Sequence, residues 1–182
     1  MFDYAPRYAK VVAGLGFEIP TSIEQLEIRE RLQGDASTDM GSLSGKAPSY
    51  DGKPLDQTEH KRLVKILEAS WQALDRVADA AYGKQLSKGP RGGGRTVDAI
   101  VQHVLDAEGG YLRRLAYKRD KQGEKDARLS RKAMLEALAA SVRGEVPELG
   151  PRGGKRWSAR YFVRREAWHV LDHAWEIEDR VE

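Results

Sequence analysis

The sequence predicts an all-α protein, a four-helix bundle preceded by a short N-terminal extension. Three observations lead there. Apolar residues recur at spacings of three and four in four long stretches. Capping residues open those stretches and glycines close them. No run of alternating apolar and polar residues lies between them to suggest a strand.

Composition sets the frame. A chain of 182 residues suits one domain with an extension and is long enough to bury a sizeable core. With 40% hydrophobic and 32% charged residues it reads as a globular protein with a heavily charged surface. The net charge of +3 is small, so nucleic-acid binding is not indicated. No apolar run is long enough to span a membrane, and the start, Met1-Phe2-Asp3-Tyr4, lacks the pattern of a secretory signal. The chain has no cysteine, which excludes disulfides, a protein thiolate nucleophile and cysteine-ligated zinc. A cytoplasmic location is the expectation.

Residues 1–55 form the extension. Pro6 to Val12 suits a short helix stopped by Gly14 and Gly16. Thr21-Ser22 followed by Glu24-Gln25 is a capping-box signature, predicting a second short helix from Ser22 to Leu32 before Gly34. Asp35 to Leu55, rich in Ser, Gly, Pro and Asp, reads as a linker.

The bundle occupies 56–182. Asp56 caps the first long helix, with Leu63, Leu67, Trp71, Leu74 and Ala78 on one stripe and Gly83 at its end. The second runs from about Thr96 to Lys118 with Val97, Ile100, Val101, Val104, Tyr111, Leu112 and Leu115 inward. Gly109-Gly110 inside it suggests a bend or a close approach, since glycine costs about 1 kcal/mol in a helix interior. A charged connection, Arg119 to Leu129, leads to a third helix opened by Ser130, with Met134, Leu135, Leu138 and Val142 inward and Gly144 and Pro147 as stops. Ser158 opens the fourth. The glycine- and arginine-rich loops Gly89–Arg95 and Gly150–Arg156 echo one another before the second and fourth helices, as do His103–Asp106 and His169–Asp172, which suggests pseudo-symmetric halves.

Three of the four histidines carry the chemistry. His169 and His173 stand four apart on one helical face, in a largely apolar stripe with Phe162, Glu166, Val170 and Ile177. His103 borders the apolar face of the second helix. Inward imidazoles need partners, and a pair at this spacing can grip one divalent transition metal, zinc or nickel foremost. A third imidazole from a facing helix leaves one coordination position open, as catalytic sites do. Glu166, one turn before His169, is the candidate catalytic acid, serving as fourth ligand, general base or orienting group. Asp106 and Asp172 are candidates to hold the ligand rings, with pairing to surface Arg or Lys the competing role. His60 has no partner at useful spacing and reads as a solvated surface residue, while Trp168 and Trp175 read as core or interface residues. Gly89 to Thr96 approximates a phosphate-binding loop, but a helix precedes it and Arg95 replaces the lysine, which argues against a nucleotidase.

Asp98–Glu108 (DAIVQHVLDAE) followed by Tyr111-Leu112, together with Arg165–His173 (REAWHVLDH), resembles the DinB/YfiT-like superfamily over residues 56–182. The resemblance implies a four-helix bundle of up-down-down-up connectivity, often a homodimer. It also implies a divalent metal held by His103, His169 and His173. Members of that family include thiol-dependent S-transferases and an isomerase that uses a thiol cofactor. The expected function is therefore metal-dependent transfer of a low-molecular-weight thiol to a small electrophile. Two alternatives are a non-enzymatic metal-binding protein and a stress-response protein presenting Arg91, Arg95, Arg152, Lys155 and Arg156 to nucleic acid, the latter disfavoured by the near-balanced charge.

Overall fold

The computed structural model describes residues 2–39, 46–89, 94–117, 121–123, 125–150 and 153–182. Among them all regular structure is helical, and the chain divides into two compact units, Met1–Lys53 and Pro54–Glu182. None of the helices is long and apolar enough to cross a membrane.

In the first unit α1 (Ala5–Val11) forms at the predicted place, with Pro6 in its first turn, where a missing N–H is tolerated. The predicted helix from Ser22 to Leu32 is reduced to one 3₁₀ turn, Ile23–Gln25. The capping contact itself forms, since Gln25 Oε1 accepts from the Ser22 backbone N–H at 3.3 Å. Propagation fails because Ile23, Leu26, Ile28 and Leu32 remain exposed, so no packing supports a short helix that is marginal on its own. Glu30 instead accepts from the Ser49 N–H and hydroxyl at 2.9 and 2.8 Å. Within the predicted linker the chain adds α2 (Ala36–Asp39) and a 3₁₀ turn, Ser49–Gly52.

The second unit holds four long helices: α3 (Gln57–Ala80), α4 (Val97–Arg114), α5 (Ala127–Val142) and α6 (Ala159–Arg180). Asp56, Thr96 and Ser158 cap α3, α4 and α6 by accepting from Glu59, Ala99 and Tyr161 N–H groups. α5 starts three residues before the predicted Ser130. Asp126 is its cap, accepting from Arg128 and Leu129, and Ser130 is buried within the helix. α4 stops at Arg114, short of Lys118, and Ala116 takes a positive φ of 66° just beyond.

α6 is the spine. Its buried residues include Phe162, Val170 and Ile177, and it packs on α3, α4 and α5, most extensively along α3. Leu67, Trp71 and Leu74 of α3, Ile100, Val104 and Leu112 of α4, and Met134 and Leu138 of α5 complete one core. Each such side chain removed from water contributes about 1.5–3 kcal/mol. Arg160, at the start of α6, pairs with both Glu59 carboxylate oxygens and donates to the Pro54 carbonyl at 2.9 Å, fixing the starts of α3 and α6 together. At the other end Ser87 N–H donates to the Arg180 carbonyl at 2.8 Å, and Leu86 pairs with Val181.

The two echoing loops differ where they are described. Leu86 and Ser87, leading into the first, attach to the end of α6, whereas Gly150 N–H donates to Gly154 O at 2.8 Å, closing the second on itself. Residues 90–93 and 151–152, including Arg91 and Arg152, lie outside the described residues, as does part of the 119–129 connection.

Candidate metal centre

α6 carries His169 and His173 on its core face, one turn apart and both under a tenth exposed. α4 brings His103, half-buried, against them. Ring centroids lie 5.3 Å (His103–His169), 4.9 Å (His103–His173) and 4.6 Å (His169–His173) apart, the last two pairs edge-on. One ring nitrogen from each lies within 4.8 Å of the others, so this cluster can hold a metal ion. The donor set fits one. His169 Nδ1 is buried without a hydrogen-bond partner, a cost that coordination through this nitrogen would relieve. Burial, reinforced by His173, His103 and the guanidinium groups of Arg165 and Arg95, holds the His169 pKa down to about 3. His103 is also lowered, by burial first and then by His173 and Arg95. These imidazoles are therefore neutral at pH 7, the state in which they ligate metals.

The carboxylates sort differently from the sequence reading. Asp106 is exposed and accepts from Gln102 Nε2 at 2.9 Å, and Asp172 is exposed. An acid that does reach one of the three rings is Glu176, whose Oε2 lies 2.8 Å from His173 Nδ1 while its Oε1 binds Arg180. Arg180 in turn donates from Nε to Ser87 O at 2.8 Å and from Nη2 to Arg95 O at 3.4 Å. With Glu176 accepting at Nδ1, the proton is fixed there and Nε2 is left as the donor to an ion. The signal was in the sequence: Glu176 follows His173 by three, the spacing that singled out Asp106 and Asp172 after their own histidines.

Glu166 lies outside the three-histidine group. It is fully buried; Trp71 Nε1 donates to its Oε1 at 3.0 Å and its Oε2 has no partner. Burial, then the nearby Glu108, pushes its pKa well above the usual carboxylate range, while the Trp71 N–H and Arg131 act the other way. Glu108 is buried too and accepts from the Ser130 hydroxyl at 2.6 Å. Arg131 lies over the Trp71 ring and makes a two-point pair with Asp75 at 2.6 and 2.7 Å. A polar seam thus continues through the core one turn beyond the histidines.

Aromatic rings border the cluster. Tyr111 stands 5.7 Å from the His169 ring and 5.2 Å from Trp157, which meets Tyr161 at 5.1 Å. The Arg165 guanidinium lies over both Tyr111 (6.0 Å) and Trp168 (5.2 Å). His60 is not in the cluster; it is half-buried with Nε2 inaccessible and unpartnered, not the solvated residue expected. The chain matches no family model, no curated protein and no solved structure, so function rests on this geometry.

Proposed function

We propose that the chain is a cytoplasmic metal-dependent enzyme of the DinB/YfiT-like type, transferring a low-molecular-weight thiol to a small electrophile. The observation that carries this reading is the convergence of three histidine donors from two helices, one fewer than a closed tetrahedral shell needs. The half-buried position of His103 puts the group within reach of solvent. When bound, a divalent ion lowers the pKa of a coordinated thiol or water. His103, His169 and His173 supply the nitrogen donors, Glu176 orients His173, and Glu166 is a proton-holding acid one turn before His169 rather than a fourth ligand.

Up-down-down-up topology belongs to the same proposal. It is supported by contacts that run in step along α3 and α6 (Glu59 with Arg160, Trp71 with Glu166) and along α4 and α5 (Glu108 with Ser130, Tyr117 beyond α4 with Glu136). Trp157, entering α6, meets Arg114 at the end of α4, as antiparallel neighbours do. A homodimer is part of the family reading. A second reading, a metal that only fastens α4 to α6, is favoured by the near-complete burial of His169 and His173.

Protein purified without an affinity tag is expected to contain about one divalent transition-metal ion per chain. His169→Ala and His173→Ala should abolish stoichiometric binding, Glu176→Ala should weaken it about 10- to 100-fold, and Glu166→Gln should retain it. Full occupancy in both histidine variants would overturn the metal site. Metal-dependent conjugation of small thiols that is lost in His103→Ala supports the enzyme. Inactivity across such a screen, with a melting temperature that collapses on chelation, supports the fastener.

A further inference from the structure

We propose that the molecule completing the metal's coordination carries a carboxylate, recognised by Arg165 and Arg95. This rests on the three-histidine metal reading and names the ligand class of that site. The case begins with charge. Three imidazoles contribute no charge, so a divalent ion held by them alone keeps its full +2. The carboxylate in contact with a ligand ring, Glu176, is shared with Arg180, and Asp106 is turned to Gln102. Asp172 is exposed and Glu166 is buried beside Trp71.

Two further cations belong to the segments that carry the cluster, Arg165 on α6 and Arg95 just before α4. Arg165 is half-buried, its guanidinium laid over Tyr111 and Trp168, the two rings that lie 5.7 and 6.2 Å from the His169 ring. Those planes hold the guanidinium beside the site and weaken its hydration, and its fork is the geometry that takes a carboxylate by two points. Arg95 is exposed and stands just before Thr96, the cap of the helix that bears His103. Its carbonyl is held by Arg180, the residue that holds Glu176. A site of this charge selects an anion over a neutral or cationic molecule of equal size. The half-buried Tyr111 and Trp168 rings offer apolar contact to the rest of the ligand.

The test uses the full chain loaded with Co²⁺, whose visible spectrum reports changes in coordination. Four probes are titrated: 3-mercaptopropionate, 2-mercaptoethanol, cysteamine and propionate. A thiol that coordinates does so as thiolate, releasing its proton to the buffer. The carboxylated thiol is expected to bind about tenfold tighter than 2-mercaptoethanol, equivalent to about 1.4 kcal/mol, with cysteamine weakest. Propionate should displace it competitively. Arg95→Gln and Arg165→Gln, singly and together, should reduce that preference towards unity with cobalt content unchanged. Arg165→Lys, which keeps charge and bulk, should retain part of it and guards against misfolding. Equal affinity for the charged and neutral thiols, or a preference that survives the double variant, overturns the proposal while leaving the metal site standing. Failure to take up stoichiometric cobalt overturns the metal reading and this inference with it.

Discussion

His169 joins two properties that usually conflict, a polar ring nearly closed off from water and a nitrogen with no partner. Its pKa of about 3 lies below the ordinary histidine value near 6.5. For a depressed group the unfolded chain binds the proton first, so this residue's share of stability is intact above about pH 6.5 and drains away as pH falls towards 3. Metal-free protein should therefore lose stability across that window. His169→Gln, which removes the titrating ring, should flatten the slope. Urea midpoints at pH 7 and pH 4.5 check this, and equal slopes in both proteins would remove His169 as the cause. The histidine cluster was legible at this scale because an i, i+4 pair declares its own geometry, whereas the carboxylate partners depend on rotamers that spacing alone does not fix. Asp106 and Glu176 both follow a histidine by three, yet one turns to Gln102 and the other to the ring.

Elements were legible where caps and core stripes agree, as in α3 and α6, and misread where only one signal was present. Ser130 looks like a helix start, but Asp126 reaches two N–H groups and takes that role, freeing the serine for Glu108. Ser22–Gln25 is a good cap without a core to follow it. The α3–α6 contact shows what sequence patterning hides: Glu166 sits on the apolar stripe of α6 and bonds Trp71 of α3. Its pKa is raised, so its fit to the fold is best when protonated and worsens as pH rises through the unfolded value. Glu166→Gln keeps an acceptor for Trp71 and cannot ionise. It should be more stable than the parent at pH 8 by about 1–3 kcal/mol, with the gain shrinking towards pH 5. Thermal melts at the two pH values test it; a variant destabilised at pH 8 would mean the ionised carboxylate is wanted there.

For the whole molecule, the helical class was legible because helical periodicity in these stretches is unbroken by any alternating pattern. The extension was legible only at α1, because Ile23, Leu26, Ile28 and Leu32 stay exposed and give the second predicted helix no packing. All three histidines, their carboxylate and the core lie in Pro54–Glu182. That unit produced alone should unfold cooperatively and retain about one metal ion. A chelator titration compared with the full chain checks this, and loss of the ion on truncation would overturn the placement of the whole site within that unit. The knot at Arg180 has a last consequence. Its carbonyl and guanidinium both bind the segment before α4, and the same side chain steadies Glu176 behind His173. Fraying of the final turn of α6 would release the loop, the carboxylate and the ring together, so an ion held there would have a way out through the opening of a helix end as well as through the breaking of its own bonds.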